Sequence, residues 1–164
     1  MKLRNLEKKD APLMLEWMHD ESVVKDLNRN FGAMKIEDCQ GFIERSQDES
    51  VNLHKAIVDD KDEYMGTVSL KDINPNNMSA EFGITIRKCA MGSNISRDAM
   101  KAMLQYGKDE LGLRVIFWCV DPKNTRALRF YDKNGYERVD FSELNVSADY
   151  EEDLINYFVW YKAW

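Results

Sequence analysis

The period of the apolar positions changes several times along the chain, and each change marks an element. "KLRNLE" (2–7) alternates weakly and predicts an opening strand. In "DAPLMLEWMHD", Leu13, Met14, Trp17 and Met18 recur at helical spacing behind an Asp10 cap. Pro12 falls in the first turn, where its missing N–H costs nothing. "ESVVKDLNRNFGAM" is polar and irregular, a link rather than an element. "KIEDCQGFIERSQ" then places Ile36, Cys39, Phe42 and Ile43 on one face of a second helix. From there the period falls to two. "LHKAIVD", "YMGTVSLKDI" and "SAEFGITIR", parted by the turns "DKDE" and "NPNN", predict a meander of three antiparallel strands.

Helical spacing returns after a polar bend, with Ile95, Ala99, Ala102, Met103 and Tyr106 on the side expected to be buried and Lys101, Gln105 and Lys108 on the wet one. "LRVIFWCV" is almost uninterruptedly apolar, as a strand covered on both faces requires. "NTRALRFYDKN" reads as a short helix stopped at Gly135, the usual residue for a left-handed helix end. "YERVDF" and "LINYFVWYKAW" predict two closing strands around the acidic loop "SELNVSADYEED". The order β, α, α, β, β, β, α, β, α, β, β predicts an α/β (α+β) fold in one domain over residues 1–164. Its central mixed, mostly antiparallel sheet has about seven strands, with helices on both faces.

Composition removes several function classes. No apolar run approaches the roughly 18 residues of a membrane span, so no membrane partner is expected. Cys39, Cys89 and Cys119 have no metal-ligand spacing, and their odd number suits reduced thiols in an unexported, cytoplasmic protein without a bound metal. A net charge of -6 argues against nucleic acid, whose attraction needs a basic surface. The charge is uneven, however. Between Arg87 and Arg138 stand eleven Lys/Arg against six Asp/Glu, whereas Val139 to Tyr161 contains no Lys or Arg. The basic segment suits an anionic ligand, or simply wet helix faces.

Within that segment the residues fall as N-x2-A-x3-Y-x3-G-Y: Asn124, Ala127, Tyr131, Gly135 and Tyr136. Asn124 and Tyr131 are two helical turns apart, about 10 Å along the axis, so one extended ligand could touch both. The plainer readings are a helix N-cap for Asn124, compatible with a ligand role, and a packed aromatic for Tyr131. Upstream, "MGSNIS" (91–96) joins a strand to a helix, and the unpaired amides of a helix start favour a phosphate.

On these residues the chain resembles the GCN5-related N-acetyltransferase (GNAT) superfamily, and within it the bacterial branch that includes ribosomal-protein alanine acetyltransferases. The resemblance implies the GNAT fold, acetyl-CoA as cosubstrate, and direct transfer of the acetyl group to an amine without a covalent enzyme intermediate. It places Asn124, with Ala127, on the pantetheine arm and Tyr131 beside the sulfur, where it protonates the departing thiolate. It lays the thioester along Phe82, Gly83, Ile84, Thr85 and Ile86, with Gly83 permitting close approach. The family's loop pattern R/Q-x-x-G-x-G/A falls on Cys89, Gly92 and Asn94 and keeps only the central glycine. Asn94 is the non-glycine type that best tolerates a left-handed backbone. Amides from Met91, Gly92, Ser93, Asn94, Ile95 and Ser96 would face the pyrophosphate, with charge from Arg87, Lys88 or Arg97.

A neutral amine must attack the thioester, so a base is needed. Strand alternation puts Glu81, Gly83 and Thr85 opposite Phe82, Ile84 and Ile86, which makes Glu81 the first candidate and Asp121, at the next strand's end, the second. Nothing local recommends His19 or His54, and Cys119 lies in an apolar run that argues against a nucleophile. In the family, acceptor choice rests on the link between the first two helices and the loop before the last strand. The acidic loop suits a cationic amine such as a polyamine, an aminoglycoside or a protein N-terminus, and is equally readable as a solvated loop. Asn28, Arg29 and Asn30 suit a phosphorylated acceptor such as a nucleotide-linked amino sugar. Two rival readings stand beside the enzyme: a CoA-binding sensor with a degraded loop, and an interaction module with no CoA site. The aromatics of "YFVWYKAW" could close a sheet edge or pair with a second copy in a homodimer.

Overall fold

The computed structural model describes residues 1–27 and 29–164; Asn28 lies outside the described residues. The chain runs β1 (Lys2–Asn5), α1 (Ala11–Met18), α2 (Glu21–Val24), α3 (Ile36–Arg45), β2 (Leu53–Val58), β3 (Tyr64–Asn74) and β4 (Ser79–Ile86). There follow α4 (Ile95–Asp109), β5 (Val115–Val120), α5 (Thr125–Lys133), β6 (Glu137–Val139), α6 (Glu152–Tyr157) and β7 (Val159–Lys162). The strands form one sheet of seven, the number expected, in the order β1-β2-β3-β4-β5-β7-β6. Every neighbouring pair is antiparallel except β4 with β5.

That parallel pair positions the site. It holds for only three positions, Ser79 with Val115, Ala80 with Ile116 and Glu81 with Phe117, after which the strands diverge. β4 stays paired with β3 as far as Ile86. One edge of Phe82–Ile86 therefore faces a wedge instead of a strand, and its backbone groups must find partners elsewhere.

Hydrophobic burial fixes the layers. On one face Ile57, Val68, Leu70, Phe82, Ile116 and Trp118 pack beneath Met100 and Met103 of α4 and Tyr131 of α5. On the other, Ala56, Val58 and Tyr64 meet Met14 and Trp17 of α1 and Ile43 of α3, while Phe117 joins Leu144, Phe158 and Trp160 in a separate cluster.

Four local expectations are corrected. Asp10 does not cap α1 with its side chain. Its carboxylate accepts from both Arg4 terminal nitrogens at 2.8 Å and from the Glu7 N–H at 2.8 Å, a buried ion pair that ties β1 to the helix entry. The link contains a one-turn helix, α2, capped by Asp20, which accepts from the Ser22 N–H at 3.0 Å. α4 buries Ala99, Met100, Met103, Leu104 and Gly107, while Tyr106 is exposed. A Cβ on Gly107 would stand 2.8 Å from Ile116 Cδ1, so the helix meets the sheet along its glycine side. Finally, residues 154–157 are helical: Glu152 and Asp153 occupy the first turn of α6, where acids oppose the helix dipole, and β7 begins only at Val159.

Candidate active site

A cavity of about 420 Å³ opens in the wedge between the end of β4, the 91–96 loop and α5. Of the residues expected there, Ile84, Thr85, Ile86, Met91, Gly92, Ser93, Asn94, Ser96, Asn124, Ala127 and Tyr131 line it. Phe82 does not; it is 2% exposed and packs edge-on against Trp118 at 5.4 Å, which anchors the strand. Ile95 is half-buried and rests on the core.

The loop's one glycine carries the turn. Gly92 has φ +79°, and no heavy atom lies within 4 Å of where its Cβ would be. Asn94 has φ -76°, so the left-handed tolerance foreseen for it is not used. Ser93 Oγ donates to Ala90 O at 2.6 Å and braces the bend. Among the described residues, the amides of Gly92, Asn94, Ser96 and Arg97 have no hydrogen-bond partner. They stand at the positive end of the fifteen-residue α4, an arrangement suited to a phosphate.

Charge comes from an unexpected quarter. Arg87 is spent elsewhere: its guanidinium donates to Glu16 at 2.9 Å, to Glu63 at 2.7 Å and to Tyr64 O at 3.1 Å. Lys88 does not line the cavity, whereas Arg97 does, joined by Arg126, Arg129 and Lys133 of α5 against the single acid Asp26. Arg126 also touches Met91 Sδ and donates to Ser22 O at 3.1 Å, bridging α5 to the loop and to α2. These α5 cations sit at i and i+3 or i+4, the same spacing that aligns Asn124, Ala127 and Tyr131, and that periodicity could have revealed them.

Asn124 is the N-cap of α5, its Oδ1 accepting from the Ala127 N–H at 3.2 Å, and the residue also lines the cavity. Tyr131 is 8% exposed, with its ring 5.2 Å from those of Trp118 and Tyr161. Its hydroxyl has no hydrogen-bond partner among the described residues. Burial, followed by the neighbouring Tyr161 and Tyr136, raises its ionisation far above the ordinary phenol range. It therefore stays protonated at neutral pH and offers its O–H as a donor.

A second cavity of about 410 Å³ lies on the other side of β4, and Ile84 and Thr85 line both. Gly83 belongs to this one, and its floor is a polar stripe running across three strands. Register builds the stripe: His54 pairs with Ser69 and Ser69 with Gly83, Thr67 pairs with Thr85, and Lys71 with Glu81. Trp17, Phe31 and Phe42 help to roof it, with Arg29, Glu37, Asp38 and Arg45 among its charged lining. Sequence reasoning found nothing local to recommend His54 and passed over Thr67, Ser69 and Lys71. His54 Nδ1 shares a 2.6 Å hydrogen bond with Ser69 Oγ, and burial, helped by Lys71, lowers its pKa to about 4. It is neutral at physiological pH.

Glu81 sits where the parallel pairing ends. It is 6% exposed and lines neither cavity, although its neighbours Lys71 and Gly83 line the second. Tyr150 O–H donates to its Oε1 at 2.8 Å. Cys119 is pushed up to about 12 by burial and then by Glu81's charge, which leaves it no thiolate to offer. Asp121 accepts from Tyr157 O–H at 3.0 Å and from the Lys123 N–H at 2.9 Å, holding the turn into α5. The acidic loop lines neither cavity, and among the described residues its Tyr150 reaches Glu81; Asn28 lies outside the described residues.

Two cavities divided by one strand, one lined by free amides and cations and the other by a polar floor and charges of both signs, form an arrangement suited to group transfer between two substrates. The profile of the acetyltransferase (GNAT) domain matches residues 1–137, and the chain belongs to that superfamily. It is 29% identical over 144 residues to the spermidine N(1)-acetyltransferase of Escherichia coli K12, covering 83% of this chain and 72% of that one. It is 25% identical over 154 residues to an uncharacterized N-acetyltransferase, p20, of Bacillus licheniformis, covering 92% and 83%. Its fold is that of the Vibrio cholerae spermidine N-acetyltransferase solved with CoA and spermine (TM-score 0.76, 19% identity, 98% and 92% covered). The protein is thus an acetyl-CoA-dependent acetyltransferase. These matches carry no support for the finer ribosomal-protein branch. Among the described residues, no helix is long and apolar enough to cross a membrane, and no His, Cys, Asp and Glu group could hold a metal.

Proposed function

We propose that the protein acetylates the primary amine of a small-molecule acceptor held in the second cavity, by direct attack on acetyl-CoA held in the first. The observation that carries this reading is the pair of cavities meeting at Ile84 and Thr85, where β4 has left β5. A thioester laid along that unpaired edge would present its carbonyl to an amine across one strand's thickness, the proximity such a transfer requires. The amides of Gly92, Asn94, Ser96 and Arg97 hold the pyrophosphate, Arg126, Arg129 and Lys133 face the remaining negative charge, and Asn124 meets the pantetheine arm. Glu81 receives the acceptor's proton, directly or through water, and Tyr131 supplies one to the sulfur. The balance closes: an ammonium and a thioester give an amide, a thiol and one released proton.

The relatives that act on spermidine make polyamines the first acceptors to try. The charged lining of the second cavity, with Glu37 and Asp38 against Arg29, Arg45 and Lys71, is mixed enough to include amino sugars and amino acids in the panel. The test is calorimetric titration with acetyl-CoA, followed by thiol release measured across that panel. Micromolar binding with amine-dependent release is expected. Binding without release for any amine would favour a sensor, and absence of binding would sink both CoA readings.

A further inference from the structure

Lys71, Glu81, Cys119 and Tyr150 form a polar cluster from four separate elements at the point where β4 and β5 part. Cross-strand pairing sets Lys71 directly opposite Glu81. Cys119 lies two residues past Phe117, Glu81's partner on β5, and Tyr150 arrives from the loop before α6. The two polar contacts of the carboxylate fall on one atom: Tyr150 O–H donates a hydrogen bond to Oε1 at 2.8 Å, and Lys71 Nζ forms a looser ion pair 3.6 Å from the same Oε1. Oε2 makes no hydrogen bond among the described residues and is not sealed from solvent. Tyr150 is itself held, its ring 5.5 Å from Phe158 and 6.0 Å from Trp160. Lys71 Nζ lies over Gly83 on the second cavity's floor, 3.6 Å from where a Cβ on that glycine would be.

We infer that Tyr150 and Lys71 are positioning residues that anchor Glu81 through Oε1 and leave Oε2 to take the acceptor's proton. The inference rests on the proposed role of Glu81 and names what holds it. The acceptor enters as an ammonium ion; one N–H proton passes to Oε2, directly or through a single water, and the freed lone pair attacks the thioester carbonyl. As the C–S bond breaks, the thiolate takes the Tyr131 proton, and the second N–H proton restores that phenol. The Oε2 proton then leaves to solvent. The hydroxyl of Tyr150 acts as donor throughout and keeps its own proton, because burial and then Glu81's charge push its ionisation far up. The groups facing Glu81 are Lys71 from β3, Cys119 from β5 and Tyr150 from the loop, and of these Lys71 alone carries a charge, since the Cys119 thiol is neutral.

The experiment is the pH dependence of kcat/KM for the acceptor in Tyr150→Phe, which removes the O–H and keeps the ring among Phe158 and Trp160. A carboxylate that loses a donor is harder to keep ionised, so the acid limb should move to higher pH. The rate at neutral pH should fall about tenfold, in line with the loss of one charged hydrogen bond. CoA affinity should not change, which also reports an intact fold. Lys71→Met, which takes away the positive charge, should move the limb the same way. A profile in Tyr150→Phe that superimposes on the unaltered enzyme's overturns the inference. Glu81→Gln separates the two layers: unaltered turnover there would remove Glu81 as the base, whereas a dead Glu81→Gln beside an unmoved Tyr150→Phe would remove only the anchor.

Discussion

Tyr131 packs its ring among Trp118, Tyr161 and Phe130 and lines the cavity, so a phenylalanine there deletes the proposed acid and spares the packing. Tyr131→Phe should lower kcat by about 10²- to 10³-fold, the range for loss of a general acid, with CoA affinity and melting temperature unchanged. Asn124 is dual in another way, because its oxygen already caps α5. Asn124→Ser restores a capping oxygen and should lose CoA affinity alone, whereas Asn124→Ala should also cost about 1 kcal/mol of stability. Titrations and melts of the two variants separate these effects. Arg87 shows what a sequence does not tell: it stands beside the loop in the chain and reads as a phosphate ligand, yet Glu16 and Glu63, 71 and 24 residues away, claim it. Charge can be counted along a chain, but its partner is set by the fold.

At the scale of elements, β4 is the part on which the site depends. Gly66 on β3 lets it lie close: a Cβ there would stand 2.4 Å from Thr85 O and 2.9 Å from Ile86 Cα, both backbone atoms that cannot swing aside. Gly66→Ala should destabilise the protein by about 3 kcal/mol and, by displacing the wall at Thr85, weaken CoA binding as well, which chemical denaturation and calorimetry will check. The strands, the helices and the seven-residue relation of Asn124 to Tyr131 were legible because period is local. The packed side of α4 was half legible, since Gly107 counts for nothing in a hydrophobic pattern while Tyr106 counts heavily. The 154–157 segment read as strand because Leu154, Ile155 and Tyr157 suit either state, and only the acids ahead of them mark a helix start. The polar stripe of His54, Ser69 and Lys71 was invisible until strands were registered against one another, because no two of its groups on different strands are neighbours in the chain.

For the molecule as a whole, acid stability follows from His54. Its pKa of about 4 lies below the ordinary 6.5 because burial disfavours the imidazolium, so the unfolded chain binds a proton that the folded chain refuses. Its contribution is complete above pH 6.5 and drains away as pH falls from there toward 4. Urea midpoints should therefore decline across that interval, and His54→Gln, which keeps a partner for Ser69, should flatten this part of the curve. Asp62, held near 2 by Lys9 and then Arg4, adds a loss only at lower pH. The division of the sheet between two cavities lay beyond the sequence, because it depends on β4 and β5 abandoning their pairing after three positions.

The strand that separates the two cavities also makes their occupants interdependent. Whatever settles against Ile84 and Thr85 from the CoA side stiffens a wall that the amine must use from the other, and the reverse holds equally. Since coupling between two ligands is reciprocal, the factor by which acetyl-CoA tightens the acceptor must equal the factor by which the acceptor tightens acetyl-CoA. Under the direct attack proposed above, no acetyl group rests on the protein between visits and both substrates have to be present at once. Initial-rate plots against either substrate should therefore give lines that intersect, and parallel lines would mean that the acetyl group had stopped on the protein along the way.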